Sequence, residues 1–332
     1  MSSDGAAPLA ELTVDVEGEH RPAIAYVDLT GPVEPGDDVV VNVQARELGL
    51  GSGGFDLLHA NLTRGLGGAG EPGAHVMKLN YTSLQHAVEP VEAGAPEAAL
   101  LGGAPVAVMA LHGQLPCVAW AAAEAAPGAR IGYVQTAGGA LPGALSRVVR
   151  DLRERGLLAG HLTAAPAFGG EHEALSVAGA LHAGLTKLDW DAALAGPGPG
   201  IIGSATTLGH GGLAALDTAH AALALGATTV VVPRMSSGDE RERHRGLSHH
   251  SDTVLGLLLR QAIVALPEGE GAEPAGGHEL RAAAADLEGY AASGLPSSTM
   301  GRPIADDELF FRAALAGGAV LGAEIESRRG RR

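Results

Sequence analysis

The chain has a single cysteine, Cys117, in 332 residues. That excludes an internal disulfide and any cysteine-built zinc site. It fits a reducing compartment, so a cytoplasmic location is expected. Lysine is nearly missing too: Lys78 and Lys187 are the only copies, and almost all positive charge is arginine. A GC-rich genome is the bland source of that bias, and it lowers the information in any one arginine. Aromatics make up 3%, so the core must be built from small aliphatic side chains. No hydrophobic run has the length of a membrane span, so no membrane partner is expected. The opening "MSSDGAAPLAELTVDVEG" has neither a basic n-region nor an apolar h-region, and reads as no signal peptide. Positive net charge is absent: 38 acidic against 22 basic residues give −16. Such a chain repels a phosphate backbone over most of its surface. Nucleic acid is therefore disfavoured as a partner, while a local basic patch still suits one small anion.

What is present is a change of rhythm. Up to about residue 95 the chain alternates short β-branched runs ("LTVDVEG", "PAIAYVDL", "DDVVVNV", "HVMKLNYT") with polar and Pro-Gly turns. Close turn spacing of this kind predicts a small β-barrel-like domain over residues 1–95. "EAGAPEAALLGG" then reads as a linker or irregular helix. From 96 onward, strand-like runs alternate with helical ones. "PVAVMAL", "RIGYVQT", "LAGHLTAA", "LDWDAALAG" and "TTVVVPR" are the strands. "LPCVAWAAAEAA", "LPGALSRVVRDLRERG", "EHEALSVAGALHAGL" and "LAALDTAHAALALG" are the helices. This is the signature of βαβ units, an α/β class with a mostly parallel, doubly wound, Rossmann-like sheet over 96–332. "PEGEGAEPAGGHE" reads as an exposed loop. "ELRAAAADLEGYAA" and "DDELFFRAALAGG" read as a helical C-terminal tail.

Open parallel sheets bind ligands at the carboxyl ends of their strands. The five loops leaving those ends hold most of the second domain's glycine and histidine. They supply, in order, His112; Thr136, Gly138 and Gly139; Gly169, Gly170 and Glu173; Gly198, Gly200, Gly203 and Ser204; and Arg234 with the stretch "RERHRGLSHHS" at 241–251. The plain alternative is that polar and glycine residues populate every loop. Gly198, Gly200 and Gly203 have G-x-G-x-x-G spacing, which suits a backbone anion cradle. The acidic residue a dinucleotide fingerprint expects about 20 positions on is missing. "GLGSGG" at 49–54 fits the same spacing outside any βαβ unit and reads as a flexible loop.

In "RERHRGLSHHS" three chemistries compete with a merely solvated loop. A divalent metal would use two or three of these imidazoles, His249 and His250 first, with a carboxylate such as Glu173 or Asp239. Acid–base work would use one of His244, His249 or His250, with Glu173 or His112 as further candidates. An anion would use Arg234, Arg243, Arg245 and Ser248. His249 and His250 are neighbours and point about 100° apart on a helix, so His244 converges with them only if the loop folds back. Ser248 or Ser251 is placed to cap that helix.

Seven segments in order carry a resemblance: "VNVQARELGLGSGGFDLLHANL", "HVMKLNYTSLQ", "YVQTAGGALPGALSRVV", "AFGGEHEAL", "GPGPGIIGSATTLGHGG", "VPRMSSGDERERHRGLSHHS" and "STMGRP". Together the chain resembles an uncharacterised bacterial family, domain of unknown function 3866. The resemblance implies one integrated protein; it implies no activity, cofactor or site residue. The residues themselves point to an enzyme acting on a small anionic molecule, phosphorylated or nucleotide-like. A non-catalytic nucleotide-binding sensor or scaffold, whose barrel binds a protein or RNA partner, is the alternative. The cofactor stays open, with a divalent metal as one option, and a homo-oligomer is compatible.

Overall fold

The computed structural model describes residues 9–49, 54–65, 70–71, 73–97, 100–204 and 206–331. Most of the "GLGSGG" loop and part of the 92–103 linker lie outside the described residues. The chain divides into two compact units, residues 1–90 and 91–332.

In the first unit, β1 (Leu9–Val16) and β2 (Glu19–Tyr26) form an antiparallel hairpin. Its two-residue turn, Glu17 and Gly18, takes positive φ at both positions, the turn whose twist matches paired strands. A single helical turn, α1 (Val27–Thr30), precedes β3 (Val39–Asn42); another, α2 (Gln44–Glu47), precedes β4 (Asp56–Asn61). The sheet order is β1-β2-β4-β3, with β2 and β4 parallel. The short strands β5 (Val76–Lys78) and β6 (His86–Val88) pair separately. Where turn spacing predicts a barrel, the described strands form a mixed four-stranded sheet and a hairpin.

The second unit is an α/β layer structure. Its elements run β7 (Pro105–Met109), α3 (Leu115–Ala125), β8 (Ile131–Thr136), α4 (Arg147–Glu154), β9 (Gly160–Ala164), β10 (His172–Ala174), α5 (Val177–Thr186), β11 (Ala192–Pro197), α6 (Ala214–Ala224) and β12 (Thr228–Val232). There follow the two-residue strands β13 (Met235–Ser236) and β14 (Gly246–Leu247), then α7 (His249–Leu257), β15 (Ile263–Pro267), β16 (Glu279–Ala283) and α8 (Leu287–Ala292). The pair β17 (Ser298–Thr299) and β18 (Arg302–Pro303) leads to α9 (Glu308–Arg329). Eight strands form one sheet, ordered β10-β9-β8-β11-β7-β12-β15-β16, and every pairing in it is parallel. All their carboxyl ends therefore share one edge. The loops after β8, β11, β7 and β12 emerge side by side there.

Both faces of the sheet are covered, which is why β7, β8, β9, β11 and β15 are buried at every position. Along β7 the alternation is plain: Ala107 and Met109 join the cluster of α3, α4, α8 and α9, while Val106 and Val108 join that of α5, α6 and α7. Small side chains let the layers approach closely. A Cβ on Gly318 of α9 would lie 2.4 Å from the Val118 carbonyl of α3, and one on Gly317 2.6 Å from Val232 of β12.

Three sequence expectations need correction. The 22-residue α9 is no tail: Phe310, Phe311, Leu315, Val320 and Leu321 are buried, and it forms the layer over β12 and β15. Residues 279–283 have helix-favouring composition but form the edge strand β16, because pairing with β15 outweighs weak local propensity. The start of "EHEALSVAGALHAGL" is β10, and the helix begins only after Ser176, whose side chain accepts from the Gly179 N–H. Among the described residues, no helix is long and apolar enough to cross a membrane.

Candidate functional site

The loop after β12 folds back on itself. Met235 pairs with Leu247 and Ser236 with Gly246, and the Ser248 N–H donates to the Arg234 carbonyl at 2.9 Å. This hairpin returns residues 242–244 over the start of α7, so the condition for His244 to meet His249 and His250 is fulfilled. Ser248 caps α7, its Oγ accepting from the His250 N–H at 3.3 Å. The same Oγ lies 2.7 Å from His244 Nδ1. One hydroxyl thus fixes both the helix start and the orientation of the third ring.

Three imidazoles converge. One ring nitrogen from each of His244, His249 and His250 lies within 4.8 Å of the others. Ring centroids are 4.9 Å apart for His244 and His249, 4.7 Å for His244 and His250, and 4.3 Å for His249 and His250. His244 Nε2, His249 Nε2 and His250 Nδ1 are buried and have no hydrogen-bond partner. A fourth ring, His210 from the loop after β11, lies flat on His250 with centroids 3.5 Å apart. Sequence reasoning missed His210. It sits in "LGHGG", and nothing local reveals that this loop reaches the one after β12.

Burial disfavours the charged form of all four rings. It holds His244 near pKa 4, helped by Arg234 and Arg241, and His250 near 2, helped by His210 and the other rings of the group. His249 and His210 are lowered by burial as well, His249 with a contribution from Arg243. The cluster is therefore neutral near pH 7, the state in which imidazole binds metal or accepts a proton.

An ion network braces the loop from beneath. Arg234 is 3% exposed and donates to Asp239 Oδ2 at 2.7 Å. Arg241 meets both oxygens of Asp239, at 2.9 Å each. That pairing is the largest cause holding the Asp239 carboxyl far below the usual carboxylate range. Burial lowers Arg234 to about 10. Buried Asp307 accepts from Ser236 Oγ, the Ser237 and Gly238 N–H groups and Arg302 Nε. Arg302 also stands 3.5 Å from Asp239. Arg245 is pinned by the Asp239 carbonyl at 2.9 Å. Arg302 and Asp307 lie some 60 residues downstream of the loop they hold, and no sequence signal linked them to it.

The glycines let neighbouring loop segments approach closely. A Cβ on Gly138 would meet the Gly211 carbonyl at 2.2 Å, and one on Gly139 the Gly198 carbonyl at 2.4 Å. A Cβ on Gly198 would meet the Gln135 side chain at 2.2 Å, and one on Gly203 the His210 Cβ at 2.9 Å. Gly138 and Gly139 are thus explained by loops packing backbone to backbone, and Gly198 and Gly203 by side chains standing where a Cβ would go. That packing carries the β11 loop, and with it His210, to the β12 loop. The Ala140 N–H is taken by the Pro199 and Gly200 carbonyls. Gly200 takes a positive φ of 75°. Ser204 is exposed and bonds within its own turn, to Thr206 and the Gly209 carbonyl.

The remaining candidates sit elsewhere along the edge. Thr136 is buried and bonds the Ala137 carbonyl at 3.3 Å. Glu173 accepts from Thr163 Oγ1 and from the Gly169 N–H, each at 2.7 Å, and so closes the loop after β9. The Gly170 N–H donates to Thr163. His112 is buried, with Nε2 2.8 Å from Ser146 Oγ and Nδ1 3.4 Å from Tyr133 Oη. Gln114, passed over in the sequence, donates to the Val232 and Pro233 carbonyls and ties the β7 loop to the head of the β12 loop.

An open cleft of about 550 Å³ borders the cluster at His249. Its walls carry His249, Arg243 and Arg245, and also Glu242, Asp252, Glu270 and Glu273. Residues 22–318 match the model of a family described as "Protein of unknown function (DUF3866)". No curated protein and no solved structure matches the chain.

Proposed function

The chain belongs to the DUF3866 family of proteins of unknown function, and from the site we propose that it is an enzyme acting on a small anionic molecule at the carboxyl edge of its parallel sheet. The observation that carries this reading is the meeting of His210, His244, His249 and His250, brought from two separate loops beside an open cleft. Neutral imidazoles at a cleft are suited to proton transfer. His249, the least buried of the three clustered rings, is the best placed to meet a ligand. Arg243 and Arg245, with the positive end of α7, supply the attraction for an anionic group. The four carboxylates of the same cleft favour a small phosphorylated or nucleotide-like molecule with a polar or cationic part over a bare polyanion.

A thermal-shift screen of nucleotides, sugar phosphates and phosphorylated amines tests this directly. At least one is expected to raise the midpoint of wild type and to leave that of R243A/R245A unchanged. No shift with any of them counts against the site. If a ligand shifts the midpoint, its turnover by wild type but not by H249A separates an enzyme from a sensor.

A further inference from the structure

We propose that His244, His249 and His250 form a binding site for one divalent transition-metal ion of the zinc type. The proposal deepens the reading of this edge as a ligand site and rests on it.

The first support is geometric. Three ring nitrogens within 4.8 Å of one another are close enough to share an ion after small ring rotations, since zinc–imidazole bonds are about 2.0–2.1 Å. The second is an orphaned polar group. His244 is wholly buried and His250 is 9% exposed, yet His244 Nε2 and His250 Nδ1 have no partner. A buried nitrogen without a partner costs free energy comparable to a lost hydrogen bond. An ion placed among them would satisfy both, and His249 Nε2 with them.

The outer contacts fit as well. Ser248 Oγ already accepts from the His250 N–H. It can accept from His244 Nδ1–H too, which fixes the tautomer that leaves the Nε2 lone pair free. A ring that binds metal through one nitrogen almost always donates through the other. His210, face to face with His250, is a positioning residue that holds that ring's plane. Imidazole nitrogen selects zinc, cobalt, nickel or copper over magnesium and calcium, which take oxygen. Three protein ligands leave a position for water or substrate. Arg234, Arg241 and Arg302 against Asp239 and Asp307 leave one positive charge in excess beneath the cluster. An anionic ligand on the ion would offset it.

The test uses full-length protein without a histidine tag, stripped with a chelator. Zinc, cobalt and magnesium salts are titrated alone by calorimetry, with metal content read by elemental analysis. Expected are one equivalent of zinc or cobalt, visible cobalt bands of a nitrogen-ligated ion, and no uptake of magnesium. S248A should weaken binding by about 10- to 100-fold, and H249A by more, with H172A unchanged. His249 is half-buried, so H249A is expected to fold, and a circular dichroism spectrum checks this. Absence of stoichiometric uptake overturns the proposal, as does equal uptake by wild type and H249A. Uptake is read without any organic ligand, so it can fail while the ligand-induced thermal shift stands, and the reverse.

Discussion

Beneath the loops, at the scale of single residues, His112 and His161 form a buried polar group with Tyr133, Ser146 and Gln135. Tyr133 Oη donates to the Gly196 or Pro197 carbonyl, each 3.0 Å away, so it accepts a hydrogen bond from the His112 Nδ1–H. Ser146 caps α4, accepting from the Val149 N–H, and donates to His112 Nε2. His161 Nε2 donates to Gln135 Oε1 at 3.2 Å, and its ring stacks on Tyr133. Burial holds His112 near pKa 4 and His161 near 3. In the unfolded chain both return to about 6.5. Below that pH the unfolded state binds protons that the folded state refuses. Stability is therefore full above about pH 6.5 and falls as the pH drops toward 4, by on the order of 3 kcal/mol through His112 alone. Urea midpoints between pH 7.5 and about 4.5 should show this, with a shallower slope for H161Q. Asp239 is a second sensitive residue. D239N leaves Arg234 buried without its charge partner and is expected to cost about 3–5 kcal/mol by urea titration.

Elements place these residues, and the glycines set how closely elements approach. Gly156 and Gly138 both have positive φ, 71° and 99°, but only Gly138 faces another backbone. G156A should cost about 1–2 kcal/mol for the left-handed backbone alone. G138A should cost more, because the Gly211 carbonyl stands where its Cβ must go, and it should also diminish any ligand-induced thermal shift by parting the loops that present His210. Equal costs for the two variants would contradict the packing role. The α3–α9 crossing is a further contact of this kind. G318L is expected to destabilise by about 1–3 kcal/mol or more, read from the same denaturation curves.

For the whole molecule, the hydrophobic clusters at the sheet's two faces are built entirely from residues 91 onward. Residues 91–332 expressed alone are therefore expected to melt in one cooperative transition with the circular dichroism of an α/β protein. A chain ending at residue 307 should not, since it lacks the α9 layer over β12 and β15. Failure of the first to fold would mean that the core needs the preceding unit.

Periodicity settled much of this unit in advance. β7, β8, β9, β11 and β12 are apolar runs of strand length between helical runs, and a parallel sheet follows because βαβ units permit little else. A parallel sheet in turn puts "RERHRGLSHHS" at its carboxyl edge, so the candidate loop was legible from local pattern. A serine cap, Ser248 or Ser251, was legible because capping is chemistry between near neighbours, and the fold uses Ser248. Other features depended on contacts distant in sequence. β16 looks helical by composition and became a strand through β15; α9 looks like a tail and became a layer through α3 and β12. The partners of Asp239 include Arg302, and His250 found His210 forty residues upstream. The sequence alone determined which residues could do chemistry and on which edge. The tertiary structure decided which of them meet, because convergence of rings from separate loops depends on backbone packing that no local pattern encodes.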